Sequence, residues 1–313
     1  MIFIIVGPTA VGKTEIALAL AEDIGAEIVS ADSMQVYRGM DIGTAKPSPG
    51  ERARVKHHMI DVADPTEEFS AGRYLKLAEA AIEDIRSRWK IPLVVGGTGL
   101  YVRALMDGIF EGPSADWALR EELMEMERAE PGSLRKSLEE TDPAAAAKIH
   151  PSDIRRTIRA LEVCRNSGER ISQKQAQWGA GRNSIAGERD SRIVGLMLPR
   201  PELYRRIEAR VDLMMAAGLL DEVKALRSIG CRREMVSMQA IGYKQLMAHL
   251  DGETSLEDAV RLIKRDTKRY AKRQFTWFNA DSRVRWLGLP EHGSSAVILR
   301  ELKKNLEISG NLR

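Results

Sequence analysis

The stretch Gly7-Pro8-Thr9-Ala10-Val11-Gly12-Lys13-Thr14 matches the spacing G-x-x-x-x-G-K-[ST] in full, and its neighbours constrain the fold around it. Residues 1–6 are an unbroken apolar run rich in Ile and Val, the pattern of a strand buried on both faces of a parallel sheet. Beyond the loop, Ile16, Leu20 and Ile24 recur at helical spacing with Ala17 and Ala21 beside them, and Gly25 supplies a stop. A strand, a glycine loop and a helix in that order make a phosphate cradle. The glycines let backbone N–H groups curl around an anion at a helix N-terminus, Lys13 adds a point charge, and the Thr14 hydroxyl can ligate Mg²⁺.

The rest of the chain extends this plan. Residues 27–31 read as a second strand, 70–89 as a helix with an apolar stripe of Tyr74, Ala78, Ile82, Ile85 and Trp89, and 91–95 as another buried strand. Alternation of strand and helix predicts an α/β fold with a parallel sheet flanked by helices, like that of P-loop NTPases. From about residue 113 to 187 the β-branched runs stop and short charged helices (116–128, 152–165) take over, which predicts an all-helical insertion domain. Residues 192–198 then read as a strand, 201–217 as a helix ended by Gly218, and 284–289 as a late strand. The catalytic core is therefore expected to be discontinuous, 1–112 and 188–313. The last residues, 305–313, are expected to fray.

Composition narrows the functional class. The chain has 313 residues, 43% hydrophobic and 30% charged, enough to build a sizeable core of mainly aliphatic side chains, since only 5% are aromatic. Its two cysteines, Cys164 and Cys231, form no CxxC pair, so a disulfide framework and a zinc ribbon are excluded and a cytoplasmic setting is expected. No apolar run is long enough for a transmembrane helix, and residues 1–6 are too short for a secretory leader. A net charge of +3 is too small to argue for a nucleic-acid partner, so the placement of charge must decide.

A phosphate loop alone says only polyphosphate. NTP-driven motors and switches usually carry an acid at the end of a later strand, to hold Mg²⁺ and water. Here residues 91–95 run instead into Gly96-Gly97-Thr98-Gly99. The carboxylate comes after the second strand, in Ser30-Ala31-Asp32-Ser33-Met34-Gln35, at the sheet edge where parallel α/β folds bind ligands. Asp32 is the candidate base or metal partner, against the alternative of a turn or N-cap aspartate.

At these residues the chain resembles the bacterial tRNA isopentenyltransferase (tRNA dimethylallyltransferase) family. The matching segments are the phosphate loop, residues 30–47 (SADSMQVYRGMDIGTAKP), His57-His58, residues 96–101 (GGTGLY), 159–163 (RALEV), 241–243 (IGY) and 272–278 (KRQFTWF). They run in order along nearly the whole chain, which departs from the family at Asn279, where Arg commonly follows the Phe. The resemblance implies transfer of a dimethylallyl group from dimethylallyl diphosphate to N6 of the adenosine 3′-adjacent to the anticodon, in tRNAs reading codons that begin with U. It makes the loop of Gly7, Pro8, Thr9, Ala10, Val11, Gly12, Lys13 and Thr14 a holder of the leaving diphosphate, with Mg²⁺ on Thr14. Asp32 becomes the general base, acting with Lys13 and Thr14. It further implies that Asp32, Ser33, Met34, Gln35 and Thr98 contact the target adenosine and its phosphate. Arg120 and the helix around Arg155, Arg156, Thr157, Ile158 and Arg159 would hold the anticodon stem-loop. A monomer is expected.

Two basic faces bear on that partner independently. On a helix, Arg261, Lys264, Arg265, Lys268, Arg269, Lys272 and Arg273 cover half the circumference, with Asp266 the only acid in the span, while Ile263, Tyr270, Gln274, Trp277 and Phe278 gather opposite. Lys268 and Lys272 are the named candidates for phosphate contact. Arg155, Arg156 and Arg159 share one side of a helix in the insertion. His57 and His58 read as structural, since no third ligand stands at a metal spacing, and the methionines read mainly as core filler. The rival readings are a small-molecule kinase, with the insertion as lid, and a nucleotide-switched RNA-binding factor.

Overall fold

The computed structural model describes residues 1–109, 112–113, 115–176, 191–290 and 295–308. The expected boundary at 187/188 and the tail beyond 308 lie outside them. Six parallel strands form one sheet: β1 (Ile2–Val6), β2 (Ala26–Ala31), β3 (His57–His58), β4 (Ile91–Gly96), β5 (Ser191–Met197) and β6 (Val284–Gly288), in the order β3-β2-β4-β1-β5-β6. The helices between them are α1 (Lys13–Ile24), α2 (Pro49–Arg54), α3 (Ala71–Ser87) and α4 (Gly99–Asp107). Then come α5 (Trp117–Ala129), α6 (Ser133–Thr141), α7 (Pro143–Lys148), α8 (Ile154–Ser167) and α9 (Ile171–Ala176). The last are α10 (Arg200–Ala216), α11 (Leu219–Ser228), α12 (Tyr243–Leu250), α13 (Leu256–Asn279) and α14 (Ser295–Asn305). Among the described residues no helix is long and apolar enough to cross a membrane.

The chain divides into two compact units, residues 1–106 with 185–313, and residues 107–184. In the first, period-two alternation along the strands builds a core on each face of the sheet. Ile2, Ile4, Val6, Val29 and Val94 point into one. Phe3, Ile5, Ile28, Leu93 and Val194 point into the other, where Ala17, Leu20 and Ala21 of α1 close over them. Among its described residues the second unit is all-helical, with its own core of Leu123, Leu134, Leu138, Ile158 and Leu161.

Register positions the site. Val6 and Ala31 both lie level with Gly96 of the strand between them, so the segments leaving β1, β2 and β4 emerge side by side. These are the phosphate loop, the Asp32 turn and the Gly97-Thr98 turn. One expectation fails at the far edge. The stripe that placed Trp89 on the buried face ends early: α3 stops at Ser87, the backbone turns left-handed at Trp89 (φ 58°), and its ring is 97% exposed.

Candidate active site

Gly12 sits at φ 104°, a left-handed conformation suited to glycine, and turns the chain into α1 with no side-chain cap over the first N–H groups. The helix N-terminus is therefore open to an anion. The Lys13 ammonium folds back to donate to Gly7 O (2.9 Å) and Pro8 O (2.8 Å). Burial pulls its pKa down to about 8, against the opposing pull of the Asp32 carboxylate and with a further push from the Arg210 guanidinium. Lys13, Thr14, Asp32, Arg210 and Tyr270 line one cavity of about 90 Å³. Arg210, on α10, is itself lowered by burial and has no hydrogen-bond or ion-pair partner among the described residues. Two cations thus face a single carboxylate.

Asp32 both closes a turn and borders the cavity. Its Oδ1 accepts the N–H groups of Met34 (2.9 Å) and Gln35 (3.3 Å), making the turn, while the residue also lines the cavity. The turn is tied to its neighbour, for Ser33 N–H donates to Thr98 Oγ1 (3.0 Å) and Thr98 N–H to Ala31 O (3.1 Å). Gln35 accepts from the Ser30 hydroxyl (3.0 Å) and donates to Thr44 O and Ala45 O, fixing a second loop along the cavity wall. Glu222 holds that loop from outside, accepting the N–H groups of Asp41, Ile42 and Gly43. A second cavity of about 310 Å³ shares Asp32, Arg210 and Tyr270 with the first and continues between Met34, Val211 and Ile241. Asp32 therefore stands where a small cationic cavity meets a larger one with apolar walls.

Two residues of this site, Arg210 and Tyr270, carry no local sequence signature, while Gln274 falls inside the 272–278 segment. Arg210 looks like any arginine on a charged helix, and Tyr270 and Gln274 sit on the half of α13 read as apolar. The available signal was Gln274 itself, a polar side chain on that half one turn after Tyr270. Burial, reinforced by the Asp32 charge, raises the Tyr270 pKa to about 12, so its hydroxyl is a neutral donor at physiological pH. His57 also lines the smaller cavity, although its Nδ1 is engaged with Val55 O (2.7 Å), and His58 pairs with Glu27 (2.7 Å).

The basic face of α13 is not the uncompensated stripe its sequence suggests. Lys264 pairs with Asp212 (2.6 Å) and Lys268 with Glu208, both acids of α10, while Arg261 pairs with Asp258 and Arg265 with Asp266, each at 2.8 Å. Arg269 lies 3.7 Å from Asp266. The charge that a window on one helix shows is balanced by its neighbour in space. Lys272 stays exposed without an acidic partner among the described residues.

In the insertion, Thr157 and Ile158 are 1% and 6% exposed within that unit's core, so the reading of both as RNA contacts is corrected. They lie on the apolar side of α8, whereas Arg155 and Arg156 are exposed and Arg159 is half-buried. Arg120 and Arg159 both grip the fully buried Glu162 (2.7 and 2.5 Å). Burial alone would raise that carboxyl, but the two guanidinium groups and the Asp116 N–H hold it below its usual range.

The Lys13 shift predicts a pH dependence. Protonated Lys13 is the form that attracts an anion, so affinity for inorganic diphosphate should fall about tenfold per pH unit above pH 8, until the higher pKa of the bound state is reached. Without ligand the sign for stability is opposite. Between about 8 and the usual lysine value of 10.5 the unfolded chain binds the extra proton, so this group's contribution to stability rises with pH across that window. Calorimetric titrations from pH 7 to 9.5 test the first statement, and Lys13→Met should flatten the profile.

A family model described as IPP transferase matches residues 35–281, and one described as isopentenyl transferase matches residues 1–66. The chain is 50% identical over 304 residues to the tRNA dimethylallyltransferase of Thermotoga neapolitana, covering 97% of this chain and 96% of that one. It is similar to the crystal structure of the tRNA isopentenylpyrophosphate transferase from Bacillus halodurans, with a TM-score of 0.71, 41% identity, and coverage of 98% and 96%. A eukaryotic dimethylallyltransferase captured acting on tRNA matches with a TM-score of 0.76 and 29% identity, over 98% of this chain and 76% of that one.

Proposed function

The chain is an enzyme of the tRNA dimethylallyltransferase family, and on that premise we propose that it moves a dimethylallyl group from dimethylallyl diphosphate to N6 of the adenosine 3′-adjacent to the anticodon, in tRNAs reading codons that begin with U. The observation that carries the reading is the pairing of Lys13 and Arg210, two cations desolvated in one cavity at an open helix N-terminus, with Asp32 at its mouth. Such a site suits an anion whose charge grows as a bond breaks. As the allylic C–O bond breaks, its electrons pass to the diphosphate oxygen facing Lys13 and Arg210. The N6 lone pair forms the new C–N bond, and the N6 proton passes to the Asp32 carboxylate.

The residues present fit Mg²⁺. Thr14 offers one hydroxyl on the cavity wall, and no cluster of three carboxylate, histidine or cysteine side chains stands among the described residues to form an all-protein cage. Mg²⁺ favours hard oxygen donors such as that hydroxyl and would not require an all-protein cage. When bound it neutralises charge on the leaving diphosphate.

The deciding experiment is incubation with unmodified tRNA and dimethylallyl diphosphate, followed by mass spectrometry of the nucleosides. Prenylated adenosine is expected. Transfer of the ATP γ-phosphate to a small acceptor, with the adenosine left unmodified, would instead make the protein a kinase.

RNA contact by α13 has its own test. Each phosphate contact on a single strand adds about 0.7 to the log-log salt slope. Because Lys268 is already paired with Glu208, the double substitution Lys268→Ala and Lys272→Ala should lower the slope by about 0.7, the share of Lys272 alone. Fluorescence titrations of a tRNA at several salt concentrations measure it. An unchanged slope would leave phosphate contact to Arg155, Arg156 and Arg159.

A further inference from the structure

Gln274 is 6% exposed and its amide is engaged at both ends: Oε1 accepts the N–H of Thr9 in the phosphate loop (2.8 Å), and Nε2 donates to Gly97 O (3.0 Å). The two partners fix the orientation of the amide, because an N–H can only donate and a carbonyl can only accept. The approach is close, since a Cβ added at Gly97 would fall 2.1 Å from Gln274 Nε2. One residue beyond Gly97 stands Thr98, whose hydroxyl accepts from Ser33 in the Asp32 turn. Tyr270, one helical turn before Gln274, lines the same cavity as Gln274 and Asp32. A single side chain on α13 therefore joins the loop read as holding the diphosphate to the turn carrying the groups read as meeting the adenosine.

Sheet register alone does not make this link. It aligns β1 with β4, but beyond Val6 and Gly96 the two segments leave the ladder. There an amide with one donor and one acceptor in use replaces the missing rungs. The bridge also occupies an N–H of the phosphate loop, so any shift of that loop around an anion is felt at Gly97.

We propose that Gln274 is a positioning residue that couples the two substrates, so that occupancy of the phosphate loop raises affinity for the acceptor RNA and the reverse. The inference rests on the proposed placement of diphosphate and adenosine. Coupling between two sites is reciprocal, so one factor describes both directions.

The test uses inorganic diphosphate with Mg²⁺ and an unmodified tRNA anticodon stem-loop, a pair that cannot react. In the wild type, saturating diphosphate should tighten RNA binding about tenfold. In Gln274→Met, close in volume and unable to bridge, the factor should fall to about one, whatever change the affinity for either ligand alone undergoes. Gln274→Glu keeps the acceptor for Thr9 N–H and loses the donor to Gly97 O, so its factor should also collapse. It stands in should the Met variant fail to fold. A merely structural glutamine would weaken both ligands and leave the factor at its wild-type value, and that result overturns the proposal. So does a wild type that binds both ligands with a factor of one. A wild type that binds no diphosphate would overturn the reading of the site itself, and the coupling with it.

Discussion

Replacing Asp32 by Asn should lower the single-turnover rate of prenyl transfer by about 10²–10⁴, the usual effect of removing a general base, while tRNA affinity stays within about tenfold. The choice of Asn follows from the geometry. Asp32 Oδ1 is also the acceptor that closes the 32–35 turn, receiving the Met34 and Gln35 N–H groups. Alanine would remove base and turn together, and a lost rate would then say nothing about proton transfer. Asparagine retains an acceptor oxygen for the turn but cannot take up the N6 proton. Because the Asp32 charge supports protonation of Lys13, the Lys13 pKa falls further in this variant, so the comparison belongs below pH 7, and a rate recovered on acidification is assigned to Lys13 rather than to the base. A rate equal to wild type in this variant would remove Asp32 from the chemistry and reduce it to a turn residue.

The same aspartate shows what the sequence could disclose. Its candidacy came from short-range signals: a β-branched run, a carboxylate at its end, and no carboxylate after residues 91–95. Wherever the fold is set by such local patterns, as in β1, α1 and β4, expectation and structure agree to within a residue or two. Trp89 fails because periodicity carries no signal for where a helix stops. Arg88 N–H already bonds to Arg86 O and Ile85 O, and the left-handed Trp89 swings its ring into solvent. The charge balance of the basic face of α13 is set in part non-locally, by the acids of α10 that lie beside it. The contacts of Gln274 are non-local likewise, because its partners, Thr9 and Gly97, lie 265 and 177 positions away along the chain.

Arg210 is the site residue furthest from any sequence signature, and removing it should have a large effect. Arg210→Met should cost about 10²–10³ in kcat/KM for dimethylallyl diphosphate, the scale seen when one preorganised donor to a developing anion is lost. The reasoning is electrostatic. An arginine held without an ion partner beside a buried lysine costs free energy in the empty site, since each charge disfavours the other and both are desolvated. An arriving diphosphate relieves that repulsion, and further charge on its bridging oxygen during C–O cleavage relieves more of it. The loss should therefore fall on both KM for the diphosphate and kcat, with RNA affinity unchanged. Arg210→Lys should restore only part, because an ammonium lacks the planar fork that engages two phosphate oxygens at once. A second readout separates this role from packing. Without the Arg210 charge the Lys13 pKa must rise, so the fall in diphosphate affinity above pH 8 should move to higher pH. A variant with wild-type kcat/KM and an unmoved profile would show that Arg210 lines the cavity without acting on the phosphate.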